Sequence, residues 1–188
     1  MPWTGAGGRV SVALGDLAAV MSVRILGPVE AWAQHRRLDV GGRRQLALFA
    51  FLVLHANRAA SRDALIDAVW GSDGSSSDNR LSMAVARLRK ALEPLGGGGA
   101  LRLRRVSCGY MLSLAPGELD ALVFAERVRE GRRALDAGDP AQASELLSSA
   151  LGLWRGPPLA EVAFEDFAQA EIRRLDELRG GGRGPRGG

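Results

Sequence analysis

Two helical stripes on one short segment constrain this chain more than any other feature. Within Asn79–Glu93 (NRLSMAVARLRKALE), Leu81, Val85, Leu88 and Leu92 recur at i, i+4, i+7 and i+11. That spacing aligns one face of a helix and requires a core beneath it. Arg80, Met83, Arg87 and Lys90 recur at i, i+3, i+7 and i+10, giving a second stripe that is cationic apart from Met83. A helix anchored on one face and cationic on another has the form that major-groove reading needs. A solvated surface helix shows the same charge pattern, so the neighbouring segments decide between the two.

Charge is divided along the chain. Residues 1–115 carry 15 arginines and lysines against 8 acidic residues, whereas residues 116–179 carry 8 against 13. Residues 80–105 alone hold seven basic residues and one acid. The basic front suits a polyanion; the acidic back suits protein contacts or solubility. Lys90 is the single lysine. Arginine favours bidentate contacts to phosphate and guanine, although high-GC coding also raises its frequency.

The length of 188 residues allows one domain of ordinary size and a smaller second one. Cys108 is the single cysteine, so an internal disulfide is excluded and a reducing cytoplasm is the expected location. His35 and His55 make no metal-ligand spacing, and no metal or cofactor is expected. His55 falls near a helix end, in a structural role. No apolar run approaches the roughly 20 residues of a membrane helix, so no membrane partner is expected. Val10–Val20 is interrupted by Asp16 and makes a poor signal peptide. Enzyme motifs are missing too. Gly96–Gly99 is not followed by Gly-Lys-Ser/Thr and reads as a flexible turn, no Gly-x-Ser-x-Gly elbow occurs, and Cys108 has no histidine nearby in sequence. No catalytic residue is expected.

Residues 1–20 are Gly- and Ala-rich and lack a period; they read as a disordered leader, or Met21 is the natural start, and in either case they should be dispensable. Strands are expected at Val23–Ile25, ending at Gly27-Pro28, and at Val29–Ala33 and Arg37–Val40. Leu46, Phe49, Ala50, Val53 and Leu54 predict a helix over Arg43–Ala56. Ser61 is suited to cap a second helix with Leu65, Ile66 and Val69 buried, closing at Trp70-Gly71. Gly71–Asp78 is a polar loop. After the Asn79 helix, Leu101–Arg105 and Tyr110–Leu114 are two strands around Ser107-Cys108-Gly109. In the back segment, Leu122, Ala125, Val128 and Leu135 mark one helix. Gly138 ends it, Asp139 caps the next and Pro140 takes its first position. Ala143, Leu146, Leu147, Ala150 and Leu151 give that helix its apolar face, and Phe164, Phe167, Ala168, Ile172 and Leu175 mark a third. The chain ends in GGGRGPRGG, a disordered tail.

A small antiparallel sheet, three helices and a closing hairpin, with the third helix basic, describe an α+β winged helix-turn-helix. The Ala68-Val69-Trp70-Gly71 helix end, the Arg87-Leu88-Arg89-Lys90-Ala91-Leu92 run and the Gly109-Tyr110 turn resemble the OmpR-type effector domain. Ile25-Leu26-Gly27-Pro28, the Arg44–Leu48 to His55–Asn57 helix and Leu65–Gly71 are more closely similar to the antibiotic regulatory protein (SARP) family. Pro116–Asp120, Ala137–Pro140 and Leu153–Pro157 resemble the start of that family's bacterial transcriptional activation domain, an all-α, tetratricopeptide-like segment. The resemblance covers about residues 21–179. It implies a winged-helix domain at 21–115, a partial helical activation domain at 116–179 and a tail at 180–188. That helical segment is short for the family, so the chain reads as truncated or as a short member. Operator binding should then survive while activation is weak.

The resemblance also implies roles. Met83 and Arg87 would face base edges, and Arg80 and Trp70 would lie near phosphates, with Arg89 and Lys90 close by. A core position for Trp70 is equally compatible. The OmpR-type wing carries an arginine three positions before the glycine of its Gly-Tyr pair. Here that position is Val106, so Arg104 and Arg105 substitute for it or the wing contacts DNA differently. Tyr110 reads as a packing residue. The implied function is sequence-specific, DNA-binding regulation of secondary-metabolite genes. The implied partners are double-stranded DNA with promoter direct repeats and RNA polymerase, with dimers on DNA. The alternative is a protein-interaction module whose helical back half binds a partner.

Overall fold

The computed structural model describes residues 21–71, 77–95 and 102–180. The expectations for the leader, for the Gly96–Gly99 turn, for most of the loop after Gly71 and for the tail beyond Gly180 lie outside the described residues. The chain order begins with β1 (Met21–Arg24), β2 (Glu30–Ala33), β3 (Arg36–Leu38), α1 (Arg43–Leu54), β4 (Ala60–Ser61), α2 (Arg62–Trp70) and α3 (Ser77–Leu92). A 3₁₀ turn (Glu93–Leu95), β5 (Leu103–Val106) and β6 (Gly109–Leu112) complete the first part. The second part is α4 (Asp120–Asp136), α5 (Pro140–Leu151), a 3₁₀ turn (Ala160–Val162) and α6 (Asp166–Gly180).

The first three strands form an antiparallel sheet in the order β1-β2-β3, with Val23 opposite Ala31 and Trp32 opposite Arg37. Strands β2 and β3 are shorter than the alternation predicts. Gln34 and His35 form a two-residue turn with φ of 48° and 66°, as a hairpin turn matched to strand twist requires. Neither residue is Gly or Asn, so the sequence carries no signal for it.

Helix α1 is the centre of the molecule. All seven residues of Ala47–Val53 are buried, as a helix apolar on every side must be. It ends at His55, whose Nδ1 donates to the Phe51 carbonyl (2.8 Å) while its ring stacks on Phe51. The histidine is structural. At the start of α2, Ser61 Oγ accepts from the Ala64 amide at 3.1 Å, the expected N-cap. The α3 helix starts two residues earlier than the pattern predicts and ends one earlier, at Leu92.

A second sheet, ordered β4-β6-β5, closes this part. Its first strand was not expected, since two residues are too few to show a period. Ala60 pairs with Tyr110 and Ser61 with Gly109. A Cβ on Gly109 would sit 2.0 Å from the Ala60 carbonyl oxygen. The glycine of the Gly-Tyr pair is therefore demanded by the close approach of β4. Sheet, three helices and hairpin together make a winged helix-turn-helix followed by a helical segment.

The α4–α5 hairpin turns as expected. Gly138 takes φ of 78°, and the Asp139 carboxylate accepts from the Gln142 amide at 2.9 Å ahead of Pro140. The expected apolar stripe of α4 is corrected. Leu122 and Leu135 are 54% and 51% exposed, and the buried face is Ala121, Phe124, Val128, Gly131 and Ala134. Gly131 lies against Leu147 of α5, where an added Cβ would meet the leucine Cγ at 2.9 Å, so this contact leaves no room for a larger α4 side chain. Phe164 is likewise no part of α6. It precedes the helix and is 89% exposed, while Phe167 meets Phe51 of α1 edge-on. Trp154 packs edge-on against Phe124 with Arg179 over its ring.

Polar bonds stitch the two parts together. Asp120 accepts from the amides of Ile25 (2.8 Å) and Leu26 (3.1 Å), and the Leu159 amide donates to the Ile25 carbonyl (2.9 Å). Burial raises the Asp120 pKa above its ordinary value even though those two amides and Arg155 oppose the rise. Arg155 bonds Glu30 at 3.0 Å and donates to the Pro28 carbonyl at 2.9 Å. Gly27, with φ of 150°, lies where an added Cβ would meet Arg155 Cβ at 3.0 Å. The Ile25-Leu26-Gly27-Pro28 segment is thus a strap held by the helical segment. Nearby, the buried Glu118 takes both Arg102 Nη atoms (2.5 and 2.9 Å) and the Ala115 amide (2.6 Å).

Candidate nucleic-acid interface

The α3 helix is positioned by its apolar stripe. Leu81, Val85, Leu88 and Leu92 are all buried, and each such side chain contributes about 1.5–3 kcal/mol. The flanking helices lock it further. Gln45 of α1 donates to the Ala84 carbonyl at 2.7 Å, and Arg62 at the start of α2 bonds Asp78 in the first turn of α3 at 2.7 Å. Hydrogen bonding to Asp78 raises the Arg62 pKa further above its ordinary value, so the guanidinium keeps its charge. Arg62 also reaches the Tyr110 hydroxyl (3.4 Å), which ties the hairpin to the same corner. Tyr110 itself is buried, a packing residue.

The outward stripe follows from this anchoring. Arg80, Met83, Arg87 and Lys90 are all exposed, Met83 by 57%. Arg80, Arg87 and Lys90 make no ion pair among the described residues. An exposed apolar side chain between unpaired cations suits a groove that offers both acceptors and thymine methyls. Arg80, Met83, Ala84 and Arg87 line one wall of a cavity of about 460 Å³, with Trp70 and residues Gly42–Gln45 completing it. Trp70 is half-buried, with an inner side on the core and an outer side on this cavity.

The remaining candidates divide. Arg104 and Arg105 are exposed on β5 of the wing, opposite Met111 and Tyr110. Strand alternation points them to opposite faces. Arg89 stands apart from the stripe. Its Nε donates to the Leu103 carbonyl at 2.9 Å and its guanidinium lies over the Tyr110 ring, bracing α3 against β5. Arg102 is spent on Glu118. The sequence count of seven basic residues in 80–105 therefore overstates the cations that face solvent, because two have partners that lie 14 and 16 residues away. Arg43 and Arg44, overlooked in the sequence, join Arg80 and Arg87 at the cavity. Among the described residues no cluster of metal-ligating side chains occurs, and no helix is long and apolar enough to cross a membrane.

Comparison with known proteins agrees with both parts of the fold. Residues 40–112 match the family model described as the C-terminal domain of transcriptional regulatory proteins, and residues 119–181 match the bacterial transcriptional activator domain. The chain is similar to the regulatory protein AfsR of Streptomyces coelicolor, 39% identical over 82% of this chain and 15% of that protein. It is also similar to the transcriptional regulator RedD of Streptomyces coelicolor, 35% identical over 78% of this chain and 43% of RedD. A solved structure of Mycobacterium tuberculosis EmbR, in complex with a low-affinity phosphopeptide, superposes with a TM-score of 0.83 at 30% identity. The match covers 87% of this chain and 44% of EmbR, so the chain spans less than half the length of each of these proteins.

Proposed function

Since the chain belongs to the antibiotic regulatory protein (SARP) family of transcriptional regulators, we propose that it is a sequence-specific, DNA-binding transcription regulator that reads the major groove with α3. The observation that carries this is the pair of stripes on α3: four buried residues that hold the helix rigid, and an opposite face whose cations have no ion-pair partner among the described residues. Unpaired cations on a rigid support lose little entropy on meeting a polyanion.

In this reading Arg87 and Met83 face base edges. Arg87 bidentate to guanine supplies about 1–3 kcal/mol of discrimination. Arg80, Lys90 and the indole of Trp70 lie along phosphates, and Arg104 and Arg105 extend the contact through the wing. Arg89 supports α3 from behind and contacts DNA less directly than the stripe does. The winged-helix domain spans residues 21–115, and the helical segment 116–179 is the surface for RNA polymerase. The reading extends, by likeness to the family, to promoter direct repeats, dimers on DNA, secondary-metabolite target genes and a cytoplasmic location.

Selection of bound sequences from random duplexes, followed by mobility shift on the selected site, tests the proposal. Arg87→Ala should weaken binding by about 5- to 150-fold and relax base preference at one position. Lys90→Ala should weaken all sequences alike and reduce the salt slope by about 1. If both variants bind and select DNA as the parent does, α3 is not the reading helix. Binding of a protein partner with no steep salt dependence, and no selected duplex, would favour an interaction module.

A further inference from the structure

The cavity between α1 and α3 goes beyond the base-reading stripe. Gly42–Gln45, Trp70, Arg80, Met83, Ala84 and Arg87 line it, so four arginines border one opening, with no carboxylate among the described residues that line it. Arg44, Arg80 and Arg87 have no ion-pair partner among the described residues. Such a concentration of like charge favours an anion in its place. A second observation comes from α1 itself. Arg43 and Arg44 are its first two residues, and its first turn holds no acid. Cations there oppose the helix dipole, and a local choice that works against its own helix marks a functional constraint. The third observation is Glu165. It reaches from the helical segment, just ahead of α6, and bonds Arg43 at 3.3 Å.

We propose that this cavity seats a backbone phosphate of the bound duplex, with Arg43 and Arg44 as donors from outside the helix-turn-helix, and that Glu165 restrains the seat by sharing Arg43. The proposal rests on the DNA-binding reading above. The cavity shares Arg80, Met83 and Arg87 with the α3 stripe, so a strand bordering the groove that α3 occupies passes over it. Gln45, bonded to the Ala84 carbonyl, fixes the distance between the two walls. The helical segment thereby acts on DNA affinity without touching DNA. The Arg43–Glu165 pair is exposed enough for water to screen it, so its effect is graded.

Affinity for the selected duplex, measured over a salt series, decides the matter. Arg43→Ala and Arg44→Ala should each lower the salt slope by about 1 and weaken cognate and random duplexes by the same factor. Glu165→Gln should tighten binding to both by up to about fivefold, and that gain should vanish in an Arg43→Ala background. Inorganic phosphate at matched ionic strength should leave DNA affinity unchanged. If Arg43→Ala and Arg44→Ala bind with the parent's affinity and slope while Arg87→Ala is weakened, the seat is overturned and the reading helix stands. Displacement of DNA by millimolar phosphate would mean a free-anion site and would also overturn it. A parent chain that selects no duplex removes the DNA-binding reading and the seat with it.

Discussion

The seam between the winged helix and the helical segment, and the outward face of α3, are both rich in charge, yet they use it in opposite ways. Along the seam the charges are matched. Arg102 has Glu118, Arg155 has Glu30 and Asp120, and the Val29 amide has Glu161. On the face of α3, Arg80, Arg87 and Lys90 have no such partner among the described residues. Paired charge taken out of water has one permissible geometry and specifies how elements meet. Unpaired charge on a rigid helix specifies nothing inside the protein and remains available to a ligand. Net charge alone does not separate the two cases; partners do.

The largest effect should come from the seam. Glu118 is buried and accepts from Arg102 and from the Met21 and Ala115 amides. Glu118→Ala strands a guanidinium and two amides, which should cost about 3–5 kcal/mol of folding stability. Urea unfolding followed by circular dichroism measures this. Protein that remains folded should keep the salt slope of DNA binding, since no stripe residue moves. A loss below about 1 kcal/mol would mean that water already solvates this pair and that the seam is not specified by it.

Next comes Asp120→Ala, which removes the acceptor for the Ile25 and Leu26 amides and a partner of Arg155. Leaving buried donors unsatisfied should cost about 1–3 kcal/mol. Against these, Arg87→Ala should shift the unfolding free energy by no more than about 0.5 kcal/mol, as for an exposed side chain with no ion-pair partner among the described residues. Equal stability losses for Asp120→Ala and Arg87→Ala would erase the distinction between seam and face.

Much of the fold was legible because periodicity reports burial. The stripes of α3, the Ser61 cap and the Gly138-Asp139-Pro140 turn stand where the pattern placed them. The limits were physical as well. Strand β4 has two residues and no period. The Gln34-His35 turn uses residues that do not announce positive φ. In α4 the buried face includes Gly131 and two alanines, which carry little hydrophobic signal, so the apolar pattern places Leu122 and Leu135 on the wrong side. For the candidate site, the α3 stripe was readable from spacing. The diversion of Arg89 and Arg102, and the arrival of Arg43 and Arg44, depend on contacts between elements that no local pattern records.

The smallest expected effect concerns two phenylalanines that the sequence placed on one stripe. Phe167 packs edge-on against Phe51 of α1, whereas Phe164 is 89% exposed and precedes α6. Exposed side chains without partners contribute little to folding, so Phe164→Ser should change the unfolding free energy by less than about 0.5 kcal/mol. Phe167→Ser should cost several times more, because it removes apolar contact and places a hydroxyl against an aromatic ring. Parallel urea titrations of the two variants give the ratio directly. A loss at Phe164 comparable to that at Phe167 would show that both residues are buried in solution. The 163–165 turn would then pack closer to α1, and the opposition between an engaged seam and an open face would have to be redrawn around Glu165.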